Sequence, residues 1–364
     1  MLKYALRRIG ASILIVLGTT VLIYLLLLAA PGGPAQKYAN NPKFTAIQVQ
    51  AYTKALGLDK SPIEQYCRWL GACNRNADLP GSLIGPTGFP SFLPTQISGV
   101  DSGLLHLDLG YSINDGNPVL ERMTSALLPT LILAILSATI WLSVAVLLGV
   151  VTGLKNGGLF DNSVSVVTYV LYSFPTFLLG FGLIWIFAVV LHLLPVSGMT
   201  DPRNMPAFGS EAYWALATVD PLKVISDLGS HLVLPVATLV IVSIAGDSRY
   251  VRQSVIESMG MEHVRTARSK GLSERRINMR HILRTGLIPF ATNLGLAFPF
   301  LVGGALVTET IFSWPGIGRL TLTAIGGLDY PLLMGILTLG ALAVAIGNLI
   351  SDLLYAALDP RVRL

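Results

Sequence analysis

The chain alternates between long stretches without an ionisable side chain and shorter polar connections. Residues 9–30 hold 22 positions with no Asp, Glu, Lys or Arg, and a helix that crosses a bilayer needs about 20 apolar residues. Comparable runs occupy 123–153, 162–200 (most apolar over 164–191), 287–308 and 331–351. A weaker run, 231–246, stops after 16 residues at Asp247. It is expected to cross the membrane as part of a longer helix that continues through Val255. Pro129 is expected near the start of its helix, where proline is tolerated, and Pro175 is expected to kink the third span. The pattern predicts an all-α polytopic membrane protein with six spans.

Composition points the same way. Hydrophobic residues make up 52% of the chain and charged residues 12%, against about 25% charged in soluble domains. The formal charge of +5 gathers at predicted membrane ends, so it does not argue for nucleic acid. Lys3, Arg7, Arg8, Lys155, Arg361 and Arg363 fall on one side, which short-loop charge bias makes the cytoplasmic one. Both termini are therefore expected inside. A cleaved leader is the competing reading of the first run, but its apolar core would span only ~7–15 residues. The expected organisation is a first segment and span (1–30), an extracytoplasmic loop or subdomain (31–123), a core holding the remaining spans (124–358) and a short cytoplasmic tail (359–364). Within the loop, 48–58 and 63–70 read as helices and 80–103 as irregular chain. Cys67 and Cys73 would face an oxidising compartment and could pair or stand as two thiols. A second external connection, 201–230, is acidic on balance.

One stretch breaks the apolar monotony: residues 248–289, "SRYVRQSVIESMGMEHVRTARSKGLSERRINMRHILRTGLIP". Between Arg249 and Arg284 it carries nine Lys/Arg and three carboxylates. Gly260 and Gly271 are expected to end its helices through backbone angles open to glycine. Val264, Ala267 and the methyl of Thr266 are expected to form an apolar contact face, ringed by Arg265, Arg268 and Lys270. Ser273 is placed as an N-cap, with Glu274 beside the positive helix end. The plainer alternative is a solvated loop whose arginines only fix topology.

Catalytic signatures are missing. There is no Gly-x-x-x-x-Gly-Lys-Ser/Thr phosphate loop, no His-Glu-x-x-His and no Gly-x-Ser-x-Gly. The histidines (106, 192, 231, 263, 281) are scattered, so no metal site, cofactor site or enzyme activity is expected in this chain. An ion-coupled secondary transporter is the alternative function. Such carriers place ionisable groups inside their spans, whereas Asp247, Glu309 and Asp352 are expected near helix ends, in reach of water or headgroups.

The order "EHVRTARSKGLSERRINMRHILRTGLIP", with "TETIFSWPGIGRL", "LHLDLGYS", "SFPTFLLG" and the ending "DLLYAALDPRVRL", resembles the membrane subunits of bacterial ABC importers. It is most similar to the dipeptide/oligopeptide/nickel permease family, first of its two permease types. The resemblance implies the type I importer permease fold (MetI-like). It also implies a second homologous permease subunit, two cytoplasmic ATPase subunits that bind ATP and Mg2+, an extracytoplasmic solute-binding protein and a place in the bacterial inner membrane among its lipids. It implies that Glu262, His263, Val264, Arg265, Thr266, Ala267, Arg268, Ser269, Lys270 and Gly271 form the element that couples to the ATPase. Ala267, Gly271 and Pro289 stand at the family's positions, while Arg265 stands where the general importer pattern has Glu. Pro175, Glu309, Trp314 and Pro315 are candidate path or gate residues, with helix termination as the alternative for Trp314–Pro315. Dipeptides, oligopeptides, nickel chelates, glutathione and sugars all remain open as cargo, and residues 72–103 look inserted relative to the family.

Overall fold

A computed structural model of the 364-residue chain describes residues 2–29, 59–73, 103–293 and 305–358, together with 47, 50, 53, 300 and 303. Most of the expected helix at 48–58 and of the inserted segment lies outside the described residues. Every regular element of the described chain is helical, joined by turns and loops, with two isolated bridges as the β pairing among the described residues. Packing divides it into two units, one formed by 1–9, 128–319 and 343–364, the other by 10–127 and 320–342.

Four helices are long and apolar enough to span a bilayer: α1 (Leu2–Ala29), α3 (Val119–Leu154), α7 (Pro221–Met259) and α14 (Tyr330–Leu358). A fifth candidate is the pair α4 (Leu159–Ser173) and α5 (Thr176–Leu183, continued by wider turns over Ile184–Val190), bent by 97° at the break. Pro175 sits at that break in an extended conformation. It therefore splits the third run rather than merely kinking it. The expected span over 287–308 falls partly outside the described residues.

Two boundaries differ from the expectation for physical reasons. Pro129 lies eleven residues into α3, because the helix already starts at Val119. Helix α7 starts at Pro221, ahead of the expected end of the acidic connection. Asp220 accepts a hydrogen bond from the Lys223 N–H at 3.1 Å, and proline fills the first helical position, where its missing N–H costs nothing. The weak sixteen-residue run is thus the middle of a 39-residue helix, about 58 Å long at 1.5 Å per residue.

In the first unit, α3 and α7 approach closely through glycine. A Cβ on Gly149 would fall 2.6 Å from the Ser248 carbonyl and from the Val251 side chain; one on Gly153 would fall 2.8 Å from Val255. The four-residue spacing keeps both glycines on one face, an arrangement suited to packing inside membranes, where association depends on van der Waals contact. Farther along the same two helices lies a core of Leu133, Trp141, Ala145, Leu232, Val236, Leu239 and Trp314. At the far end of the chain, Asp352 pairs with Arg8 at 3.1 Å.

The second unit contains α2 (Pro62–Leu70), capped by Ser61 and stopped by Gly71 at φ +89°. Cys67 and Cys73 are joined in a disulfide across its last turn. Tyr66 and Gln65 of α2 hydrogen-bond Thr20 and Tyr24 of α1 at 2.8 and 3.0 Å. Elsewhere in this unit Asp329 is fully buried, accepting bonds from the Ser112 hydroxyl and the Ile113 N–H.

Candidate functional site

The basic stretch folds as an elbow on the end of α7. Helix α8 (Glu262–Ser269) follows a turn at Gly260. Then come α9 (Glu274–Ile277), wide turns over Asn278–Ile282, α10 (Leu283–Gly286) and α11 (Ile288–Asn293). Gly271 takes φ +71°, where a side chain would be strained, so the expected backbone role holds there. Gly260 does not follow suit: at φ −80° it is ordinary right-handed backbone. Ser273 occupies the cap position of α9, but its side chain accepts no capping bond.

The elbow's own apolar residues are turned inward. Val264 is fully buried and Ala267 is 4% exposed, both packed with Val251 and Val255 of α7 and with Ile277, Ile282 and Phe290. Gly286 brings α10 onto α7 so closely that a Cβ there would lie 3.3 Å from the Val255 Cα. The Ser258 hydroxyl donates to the Ile282 carbonyl at 3.0 Å. The expectation that Val264 and Ala267 present an apolar face to a partner is therefore corrected: an eight-residue helix has one apolar stripe, and this chain buries it against itself. Left outside are Glu262, His263, Arg265, Thr266, Arg268, Ser269 and Lys270, all exposed. The outward face is polar and mostly basic.

Two ion pairs order that face. Arg265 reaches Glu262 at 3.0 Å within α8. Arg268 holds Glu274 through two bonds, 2.9 and 3.2 Å, tying α8 to α9 across the Gly271 turn. The charged hydrogen bond pulls the Glu274 carboxyl below its usual range and raises the Arg268 guanidinium.

Above the elbow, α4 and α7 are clamped by a pair the sequence reading missed. Asp161 is fully buried and takes two bonds from Arg252, at 2.6 and 2.7 Å, plus one from the Gly157 N–H at 2.9 Å. Two residues 91 apart give no local signal; only the single carboxylate at the edge of an uncharged run could have drawn attention. Farther along α7, Asp247 accepts a 2.7 Å bond from the Trp141 indole of α3. Asp247 therefore lies inside the helix, half-buried and hydrogen-bonded, rather than near its end.

The segment "TETIFSWPGIGRL" forms a knot about a buried carboxylate. Glu309, on α12 (Leu306–Ile311), is 0% exposed. It accepts the Thr130 hydroxyl at 2.9 Å and the Arg319 N–H at 3.0 Å. The Thr130 oxygen in turn accepts the Ile317 N–H at 2.8 Å, and the Trp314 indole donates to the Pro129 carbonyl at 2.9 Å. Gly316 is obligatory here, since a Cβ would sit 2.5 Å from the Glu309 carboxyl. The expectation that Glu309 reaches water or headgroups is corrected: with hydroxyl and amide donors converging, the carboxylate is satisfied without either. Trp314 is fully buried too, so it does not anchor at an interface; Pro315 and Pro175 are exposed.

The described chain is thus a multi-helix membrane protein whose longest helix ends in a packed, basic elbow. Comparison gives that class its family. The model for the binding-protein-dependent transport system inner membrane component matches residues 145–364, and the corresponding N-terminal model matches 1–90. The chain belongs to this family. It is 30% identical over 363 residues to the oligopeptide transport system permease protein AppB of Bacillus subtilis, covering 100% of this chain and 99% of that one. It is 31% identical over 372 residues to the dipeptide transport system permease protein DppB of Escherichia coli K12, with 100% and 99% covered. A probable peptide ABC transporter permease of Sinorhizobium fredii is 31% identical over 360 residues, covering 99% of each chain.

Proposed function

We propose that this chain is the permease subunit of an ATP-binding cassette importer for peptides. With a second permease it forms the translocation path, and separate ATPase subunits in the cytoplasm bind ATP and Mg2+ and drive it. An extracytoplasmic binding protein delivers the cargo. The chain sits in the bacterial inner membrane as six spans with both termini and the elbow in the cytoplasm. Full-length similarity to peptide permeases supports the class of cargo.

The observation that carries the coupling role is the split character of α8. Its apolar side is fixed to α7, and its polar side is exposed, held to this chain only at its margins by the Arg268–Glu274 tie and the contact of His263 with His281. A force applied to that polar face is passed to a packed core rather than absorbed by a loop, and rigid elements of this kind transmit displacement as bodies. Work is transmitted only if the ATP-bound ATPase holds the elbow differently from the empty one.

Thr266, central on the exposed face, gives the test. In the intact complex reconstituted in vesicles, Thr266→Trp is expected to abolish peptide-stimulated ATP hydrolysis while the complex still assembles. Normal stimulation in that variant would remove the coupling role. The rival reading, an ion-coupled carrier, predicts uptake driven by an ion gradient in vesicles without ATP.

A further inference from the structure

Helices α4 and α7, both in the first unit, line an open pocket of about 450 Å3. Its wall includes Ser165 and Tyr169 of α4 and Arg249, Tyr250, Arg252 and Gln253 of α7. All six carry polar groups. The two cations are in different situations. Arg252 is spent: Asp161 takes two of its bonds and Asn156 a third at 2.9 Å.

Arg249 is not. Its guanidinium carbon lies 4.5 Å from the ring centre of Tyr169 and 4.6 Å from that of Tyr172. Its Nε is buried and has no hydrogen-bond partner, and no described carboxylate pairs with it. Aromatic faces attract a cation but do not accept the in-plane N–H bonds of a guanidinium, which are shaped for a carboxylate or phosphate. Arg249 opens the basic stretch just past the apolar part of α7 and is half-buried there, where a buried N–H without an acceptor is costly.

We infer that this pocket receives the terminal carboxylate of a peptide in transit, with the Arg249 guanidinium as its partner. The inference rests on the peptide-importer reading. The terminal carboxylate is the one anion that every linear peptide carries whatever its side chains. The site offers one uncompensated positive charge to match it, since Asp161 neutralises Arg252. A lipid phosphate shares the chemistry, and the alkylation measurement below separates the two sources. A single-arginine grip is also weak enough to release its cargo, as conduction through a path requires.

The test compares trialanine with trialaninamide in vesicles carrying the intact complex, its binding protein and ATP. The wild-type complex is expected to import the acid faster than the amide. Arg249→Gln should lower uptake of the acid by roughly tenfold, the size expected for a lost hydrogen bond to charge, and leave the amide rate in place. Arg249→Lys should fall between. An acid-to-amide ratio that is the same in wild type and Arg249→Gln overturns the inference; because both share one binding protein, selection there cancels.

If Arg249→Gln imports neither compound, alkylation of a Ser165→Cys complex decides. Slower alkylation with trialanine but not with its amide supports the site. Slowing by neither, by both alike, or by phosphatidylglycerol without peptide overturns it, the last in favour of lipid. A wild-type complex that hydrolyses ATP yet imports no peptide sinks the importer reading and this inference together. Import with an unchanged ratio sinks this inference alone.

Discussion

At the scale of single residues, the weight falls on groups whose importance comes from what crowds them. Gly149 and Gly316 are two such cases, each leaving no room for a methyl against backbone or a buried carboxyl. Gly149→Ala and Gly316→Ala should each destabilise the chain by about 1–3 kcal/mol, the usual range for overpacking. Gly182→Ala, where a Cβ meets nothing within 4 Å, should be close to neutral. Thermal unfolding of the detergent-solubilised protein checks the three together, and equal midpoints would contradict the packing described.

Asp161 and Arg252 make a second residue-scale case. Removing either partner leaves the other charge without its bonds, so Asp161→Asn and Arg252→Gln should each lower the unfolding midpoint. The double variant should lose less than the two single losses added, because both remove the same interaction. Strict additivity would mean that the pair is not coupled.

At the scale of elements, the elbow shows how far sequence reasoning reaches. Its position, basic charge, helix order and the left-handed Gly271 were legible, because charge runs and glycine leave direct marks in a sequence. Which side of α8 faces inward was not. Val264 and Ala267 are as suitable for a partner's cleft as for this chain's own core, and only the packing of α9, α10 and Phe290 around them decides. Helix α7 teaches a similar lesson: Asp220–Pro221 is a start signal, yet it was hidden by the polar residues Lys223, Asp227 and Ser230 that follow. The buried carboxylates Asp161, Glu309 and Asp329 were invisible for another reason. Their partners are Arg252, Thr130 and Ser112, and no local pattern announces them.

The elbow also carries a pH dependence with a definite sign. Bonding to Arg268 holds the Glu274 carboxyl below its usual range, so the tie between α8 and α9 is fully present above the ordinary glutamate range. It is lost as pH falls through the lowered value. Glu274→Gln should remove that dependence, as read by the acid titration of Arg268 side-chain resonances. An identical titration in the variant would show that Glu274 is not the group responsible.

At the scale of the whole molecule, the apolar runs placed four membrane-length helices, and a fifth run falls on the bent pair α4 and α5. Their charge-free stretches are long, and no soluble fold needs them. The remaining run, 287–308, rests on the sequence alone. Because the fuel is assigned to other subunits, the purified chain should bind no ATP at concentrations that saturate the intact importer, by fluorescent-nucleotide titration. Saturable binding by the isolated chain would contradict that division of labour.

The most direct measurement of the central claim is site-directed cross-linking from the elbow. A cysteine placed at Ser269, exposed on α8, should react with a membrane-impermeant thiol reagent only in inside-out vesicles. It should also cross-link to an ATPase subunit in a yield that changes when ATP is bound. A cysteine at Val219, exposed at the end of α6 (Glu211–Val219), should react only in right-side-out vesicles. Labelling of the Ser269 site from outside, or a cross-link yield indifferent to ATP, would contradict the account.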